Sequence, residues 1–128
     1  DTRFTSDWSS DVCSSDLLFE ANLEGEFLLG ANLEGASLYL AHLKGANLTE
    51  AILSEAILSE AILTKANLTD ATLTGANLSR SNLSGAYLRE ANLTNANLNE
   101  ADLTGAIMTG AVFCLTTMPD GTTNNSDC

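Results

Sequence analysis

Few side chains here have the type and the company that chemistry requires. The single histidine, His42, has no second titratable group beside it in the sequence, so it forms no catalytic dyad. No His/Cys group shows the spacing of a metal site, and no metal or other cofactor is expected. Only four basic residues follow position 17, too few for a nucleic-acid surface, so no direct nucleic-acid binding is predicted. No run is long and apolar enough to span a membrane. Cys114 and Cys128 either join as a staple across a short loop or stand as two free thiols in a reducing compartment. What remains is acidity. The chain carries a net charge of −12, and −9 of it lies beyond residue 17. Glu50, Asp70 and Glu90 recur every twenty residues, as do Glu60, Arg80 and Glu100. Acids without a partner base are a recognition surface or a solvated edge rather than an active site, and the chain is read as no enzyme.

The elements that position these residues are short and strictly periodic. Leucine stands at every fifth position from Leu23 to Leu103, followed in phase by Met108 and Phe113. Two residues before each stands alanine, with Glu26 and Ser81 as exceptions. On an α-helix five residues advance about 500°, so the leucines spiral round and form no stripe. In a flat strand an odd repeat sends successive leucines to opposite faces. Within one phrase, however, Ala and Leu are two apart and point the same way. The chain must bend once per phrase to keep every Leu inward. Eight of the nine glycines fall two after the central residue, from Gly25 to Gly110, where a corner needs positive φ. The other occupants of that slot include Glu50, Glu55, Glu60, Lys65, Asp70, Arg80, Glu90, Asn95 and Glu100, all solvent-facing types.

Phrases such as Ala46-Asn47-Leu48-Thr49-Glu50, nineteen in succession, closely resemble the pentapeptide-repeat family. The resemblance implies an all-β fold, a right-handed quadrilateral β-helix with four phrases to a coil and nearly five coils. At an inter-strand spacing of ~4.8 Å that is a rod roughly 23 Å long. Four-phrase coils would stack Glu50, Asp70 and Glu90 on one edge, where neighbouring like charges repel by roughly 0.9 kcal/mol in water. Arg89 is placed to relieve Glu90, and Arg80 to interrupt Glu60 and Glu100. Ile52, Ile57 and Ile62 fall on successive sides of one coil as a thin apolar girdle. Ser or Thr after most leucines reads as β-propensity on an exposed strand.

Three segments follow. Residues 1–17 lie outside the repeat and resemble a translated sequencing-adapter read-through, a non-native or disordered leader that hides the true N-terminus. The compartment is therefore open between the cytoplasm and a lumenal or periplasmic space. Residues 18–115 form the solenoid. Its first coil is an uncapped apolar end suited to end-to-end or dimeric association. Residues 116–128 hold Met118-Pro119-Asp120-Gly121, a turn signal, and resemble the closing segment of many bacterial, especially cyanobacterial, members of the family. They are expected to cap the last coil. The function expected is a non-enzymatic interaction or structural module with a protein partner of unknown identity. The alternative is an acidic DNA mimic that binds a topoisomerase such as gyrase. The leucine-dominated centre and a tail of poor helix formers fit that alternative less well.

Overall fold

The structure, a computed structural model, describes residues 18–128. The leader assigned to residues 1–17 lies outside the described residues. The chain winds as a coil in which all sixteen isolated bridges among the described residues are parallel. Each joins positions twenty apart, from Asn22–His42 to Asn97–Thr117. Four five-residue phrases therefore make one turn. Side 1 carries the central residues Leu23, Leu43, Leu63, Leu83 and Leu103. Side 2 carries Leu28 to Met108, side 3 Leu33 to Phe113, and side 4 Leu18 to Leu98 in the same steps of twenty.

One phrase shows how the backbone is satisfied. Asn67 N–H donates to Ala46 on the coil before, at 2.9 Å. Leu68 and Asp70 N–H donate to Tyr87 and Arg89 on the coil after, at 2.6 and 2.8 Å. Ala71 N–H closes the corner onto Leu68 O at 3.0 Å. The remaining amide, Thr69 N–H, reaches the Asn67 side-chain Oδ1 at 3.1 Å. Every donor of the phrase is paired, as a backbone enclosed on two sides requires. The recurring asparagine is thus a structural acceptor. Where Ile52, Ile57 and Ile62 replace it, the amide two residues on has no such acceptor.

Every corner residue from Glu20 to Leu115 lies in the left-handed region, with φ between 55° and 77°. Leu40 is among them at φ 61°, although its type gives no hint of a corner. A side chain in this region costs about 1–2 kcal/mol. Gly105 has only the Gly85 backbone near, 3.8 Å from where a Cβ would sit. Gly105→Ala is therefore expected to lose about 1 kcal/mol in urea melts from conformation alone. Lys65→Gly, in the same column, should recover part of that amount. No change in either variant would contradict the corner geometry.

Inside, every central leucine from Leu23 to Leu98 is fully buried, and the alanines fill the space beside them. Each such leucine stabilises the fold by about 1.5–3 kcal/mol. Ser81 enters an alanine slot because its hydroxyl donates to Leu78 O at 2.7 Å. Thr116 does the same, donating to Leu93 O at 2.7 Å.

The coil continues past the boundary drawn from sequence at residue 115. Thr117 bridges Asn97, Met118 packs against the core, and Pro119 O accepts from Glu100 N–H at 2.9 Å. Thr for Ala and Met for Leu disguise this last phrase. The chain then reverses at Gly121 (φ 86°), so that strand β1 (Thr116–Thr117) pairs antiparallel with β2 (Thr123–Asn124). Asp127 and Phe113 exchange two hydrogen bonds at 2.9 Å, one of them to the Asp127 carboxylate. Leu115 N–H donates to Asn125 Oδ1 at 2.8 Å. Cys114 and Cys128 are joined by a disulfide, their Cα atoms 4.8 Å apart. The tail is fastened to sides 3 and 4 of the last coil, and the central residues of all four sides there, Leu103, Met108, Phe113 and Met118, stay partly exposed.

Candidate interaction surface

Glu50, Asp70 and Glu90 occupy one corner, between sides 2 and 3, at φ 62°, 60° and 59°. All three side chains are exposed. Glu50 N–H donates to Thr69 O at 2.9 Å and Asp70 N–H to Arg89 O at 2.8 Å, which sets the residues rung above rung. Gly30 and Gly110 end the column. The Glu90 carboxylate bends over Gly110, where an added Cβ would collide with it.

The corner between sides 4 and 1 carries as many acids but sets an arginine among them. Arg80 Nε donates to Glu100 Oε1 at 2.9 Å. That hydrogen bond and the Glu100 charge hold the Arg80 pKa above its ordinary value. Tyr39 OH donates to Glu60 Oε1 at 2.9 Å, and this bond, then the Glu60 charge, raises the Tyr39 pKa. Arg80–Glu100 is the ion pair found among the described residues. Arg89, placed by sequence beside Glu90, forms none with it.

The other chemistry-bearing residues stay apart. His42 is exposed on side 1, in register with Asn22 and Ile62. Among the described residues no group of three His, Cys, Asp or Glu converges as a metal site would. No helix of the described residues is long and apolar enough to cross a membrane. Ile52 and Ile57 are exposed on sides 3 and 4 and Ile62 is half-buried on side 1, the girdle drawn from sequence.

Strand propensity does not explain the hydroxyl residues. They sit in turns, and several donate to the asparagine two positions back. Thr49 Oγ1 meets Asn47 Oδ1 at 2.6 Å, Thr69 meets Asn67 at 2.6 Å, Ser79 meets Asn77 at 2.8 Å and Thr94 meets Asn92 at 2.7 Å. The Asn-x-Thr spacing is the signal that betrays this role. Asp102 plays the asparagine part, accepting from Thr104 N–H at 3.0 Å. The Thr104 hydroxyl, then its amide, lowers the Asp102 pKa. A lowered carboxyl pKa adds stability that is full above the ordinary carboxylate range, near ~3.9, and is lost as pH falls through the lowered value. Asp102→Asn is expected to keep the hydrogen bonds and remove this acid-limb dependence. A titration of Asp102 by NMR that showed an ordinary midpoint would refute the assignment.

The family model for pentapeptide repeats matches in 8 copies, over residues 18–54, 41–80, 73–110 and 81–118. The chain belongs to the pentapeptide-repeat family. Among solved structures this pentapeptide-repeat protein is similar to Rfr23 from the cyanobacterium Cyanothece 51142. The identity is 42%, over 72% of this chain and 63% of that one, with a TM-score of 0.71. It is also similar to a pentapeptide-repeat protein of the Arabidopsis thaliana thylakoid lumen. There the identity is 29%, over 78% of this chain and 63% of that one, with a TM-score of 0.54. The chain thus spans less than two thirds of the length of either relative. These neighbours make the coil a right-handed β-helix. QnrB1, a plasmid-mediated fluoroquinolone resistance protein, is matched at 22% identity over 73% of this chain and 60% of that one, with a TM-score of 0.48. That distance carries no inference about partners. Comparison with curated protein sequences gives no match.

Proposed function

We propose that this pentapeptide-repeat protein is a non-enzymatic interaction module, a four-sided rod of nearly five coils whose Glu50/Asp70/Glu90 corner meets a basic protein partner. The observation that supports this is the contrast between the two acidic corners. One is interrupted by Arg80, which pairs with Glu100, and has Glu60 hydrogen-bonded by Tyr39, while the other is left facing solvent as a column of stacked carboxylates. Such a column raises the local concentration of a basic partner and orients it. DNA mimicry is the weaker reading on charge density. Duplex DNA carries one charge per ~1.7 Å of axis, whereas this column offers one per rung of ~4.8 Å.

The test is capture from a bacterial lysate at low and high salt, with native protein beside Glu50→Lys/Asp70→Lys/Glu90→Lys. The expected result is a basic protein retained at low salt by the native chain and lost with the triple variant. Equal capture by both would assign the column to solvation alone.

A further inference from the structure

Sides 1 and 2 end the stack differently from sides 3 and 4. From Leu18 to Leu98 every central amide donates to the coil after, and so does every corner amide from Glu20 to Glu100. On the last coil, Asp127 and Asn125 side chains accept from Phe113 and Leu115 on side 3, and Thr122 O accepts from Met118 on side 4. On sides 1 and 2 the same groups stay open. Among the described residues Leu103, Gly105, Met108 and Gly110 N–H find no acceptor, and Ala101 and Ala106 O find no donor. Gly105 and Gly110 are exposed, and Leu103 and Met108 leave part of the core open beside them. An open strand edge is ordinarily guarded by lysine, proline, a bulge or a covering element. Residues 101–110 hold neither lysine nor proline, and the tail turns back at Gly121 before it reaches side 1.

We propose that this open edge is a docking site for an extended segment of a protein partner, one that continues the coil for two phrases. The site is separate from the Glu50/Asp70/Glu90 corner and does not depend on it. The register of the earlier rungs fixes the pairing. Carbonyls at the second and fourth positions of the segment meet Leu103 and Gly105 N–H. Those at the seventh and ninth meet Met108 and Gly110 N–H. Amides at the second and seventh meet Ala101 and Ala106 O. A straight strand follows one side only, because sides 1 and 2 meet at a corner at Gly105 (φ 72°), and it leaves the donors of the other side unpaired. The segment that fits therefore bends once, with glycine at its fifth position. Its first and sixth residues are small, and its third and eighth are apolar and point inward over Leu103 and Met108. The second position stands beside Asp102 and the seventh beside Ile107, which favours lysine at the one and a β-branched apolar residue at the other. Residues 101–128 carry Asp102, Asp120 and Asp127 and no base, so a basic segment is attracted and the same end of a second copy is repelled. In strand addition of this kind the main-chain bonds give affinity and the inward side chains give specificity.

The peptide Ala-Lys-Leu-Thr-Gly-Ala-Val-Leu-Thr-Gly tests this on the full chain by fluorescence anisotropy and by hydrogen exchange read with NMR. One control has the same composition but exchanges each leucine with a polar neighbour, so that lysine and threonine point inward. A second control keeps every side chain and carries N-methyl groups on the second and seventh amides. The patterned peptide is expected to bind about tenfold more tightly than either control, the scale of one misplaced leucine or two lost hydrogen bonds. It should also slow exchange at Leu103, Gly105, Met108 and Gly110. Equal binding of the patterned peptide and either control overturns the docking site, as does no binding at all. Binding that leaves those four amides unprotected overturns it too. Exchange at the four amides that slows as the free protein is concentrated assigns the edge to a second copy and overturns the partner segment.

Discussion

Leu68→Ala is expected to lower stability by about 2–5 kcal/mol in urea melts. Leu68 is fully buried in the middle of side 2, stacked between Leu48 and Leu88. The loss combines the transfer energy of the missing methyl groups with the cavity left behind. Relaxation around that cavity is restricted, because the rungs above and below are held by hydrogen bonds such as Leu68 N–H to Tyr87 O at 2.6 Å. The upper half of the range is therefore anticipated. Thr69→Ala, one residue on, removes a hydroxyl donated to Asn67 Oδ1 at 2.6 Å and should lose only about 0.5–1 kcal/mol. Equal losses at the two positions would mean that the inward and outward phases had been exchanged.

Reduction of Cys114–Cys128 is expected to lose about 3 kcal/mol, the scale for releasing a loop of roughly fifteen residues. The bond spans a sequence separation of 14. It fastens the tail where Asp127 and Asn125 cover the amides of Phe113 and Leu115. In a stack whose rungs meet only their neighbours, the damage should begin at that end. Hydrogen exchange with and without dithiothreitol, alongside Cys128→Ser, would show faster exchange at Phe113 and Leu115 and a lower thermal midpoint. Unchanged protection in both the reduced protein and the variant would show that the tail is held without the bond.

The five-residue phrase made the interior legible, because a leucine at every fifth position has only one way to remain inside a coil. Glycine marked the corners for the same reason: its slot is the one at positive φ. Leu40 was not legible as a corner, since a bulky apolar residue there runs against its own backbone preference. It is held there by the rungs on either side. Met118 escaped notice because Thr116 and Pro119 hide the phrase around it, and a threonine whose hydroxyl finds Leu93 O substitutes for alanine only once the fold is known. The role of Asn67 and Thr69 was also hidden. Exposed strand and hydrogen-bonded turn favour overlapping residue types, and only the Asn-x-Thr spacing, not the types themselves, points to the turn. For the acids, stacking was readable from the twenty-residue interval. Which acid gained an ion pair depended on side-chain placement, which put Arg80 onto Glu100 and left Glu90 without one to Arg89.

The bridges joining residues twenty apart have a consequence for how such a gene can change length. Loss of one phrase leaves every later leucine pointing inward, so the core heals across the junction. Everything outside is turned by one side. If residues 61–65 were deleted, Glu90 would move to the corner that now holds Lys65 and Gly85, and it would no longer stand over Glu50. Removal of a whole turn, residues 51–70, would instead set Glu90 directly on the rung after Glu50. Slippage by single phrases therefore reshuffles the surface without endangering the fold, and slippage by fours shortens the rod while keeping its markings aligned. A lineage of such proteins is free to explore new surface patterns at almost constant stability.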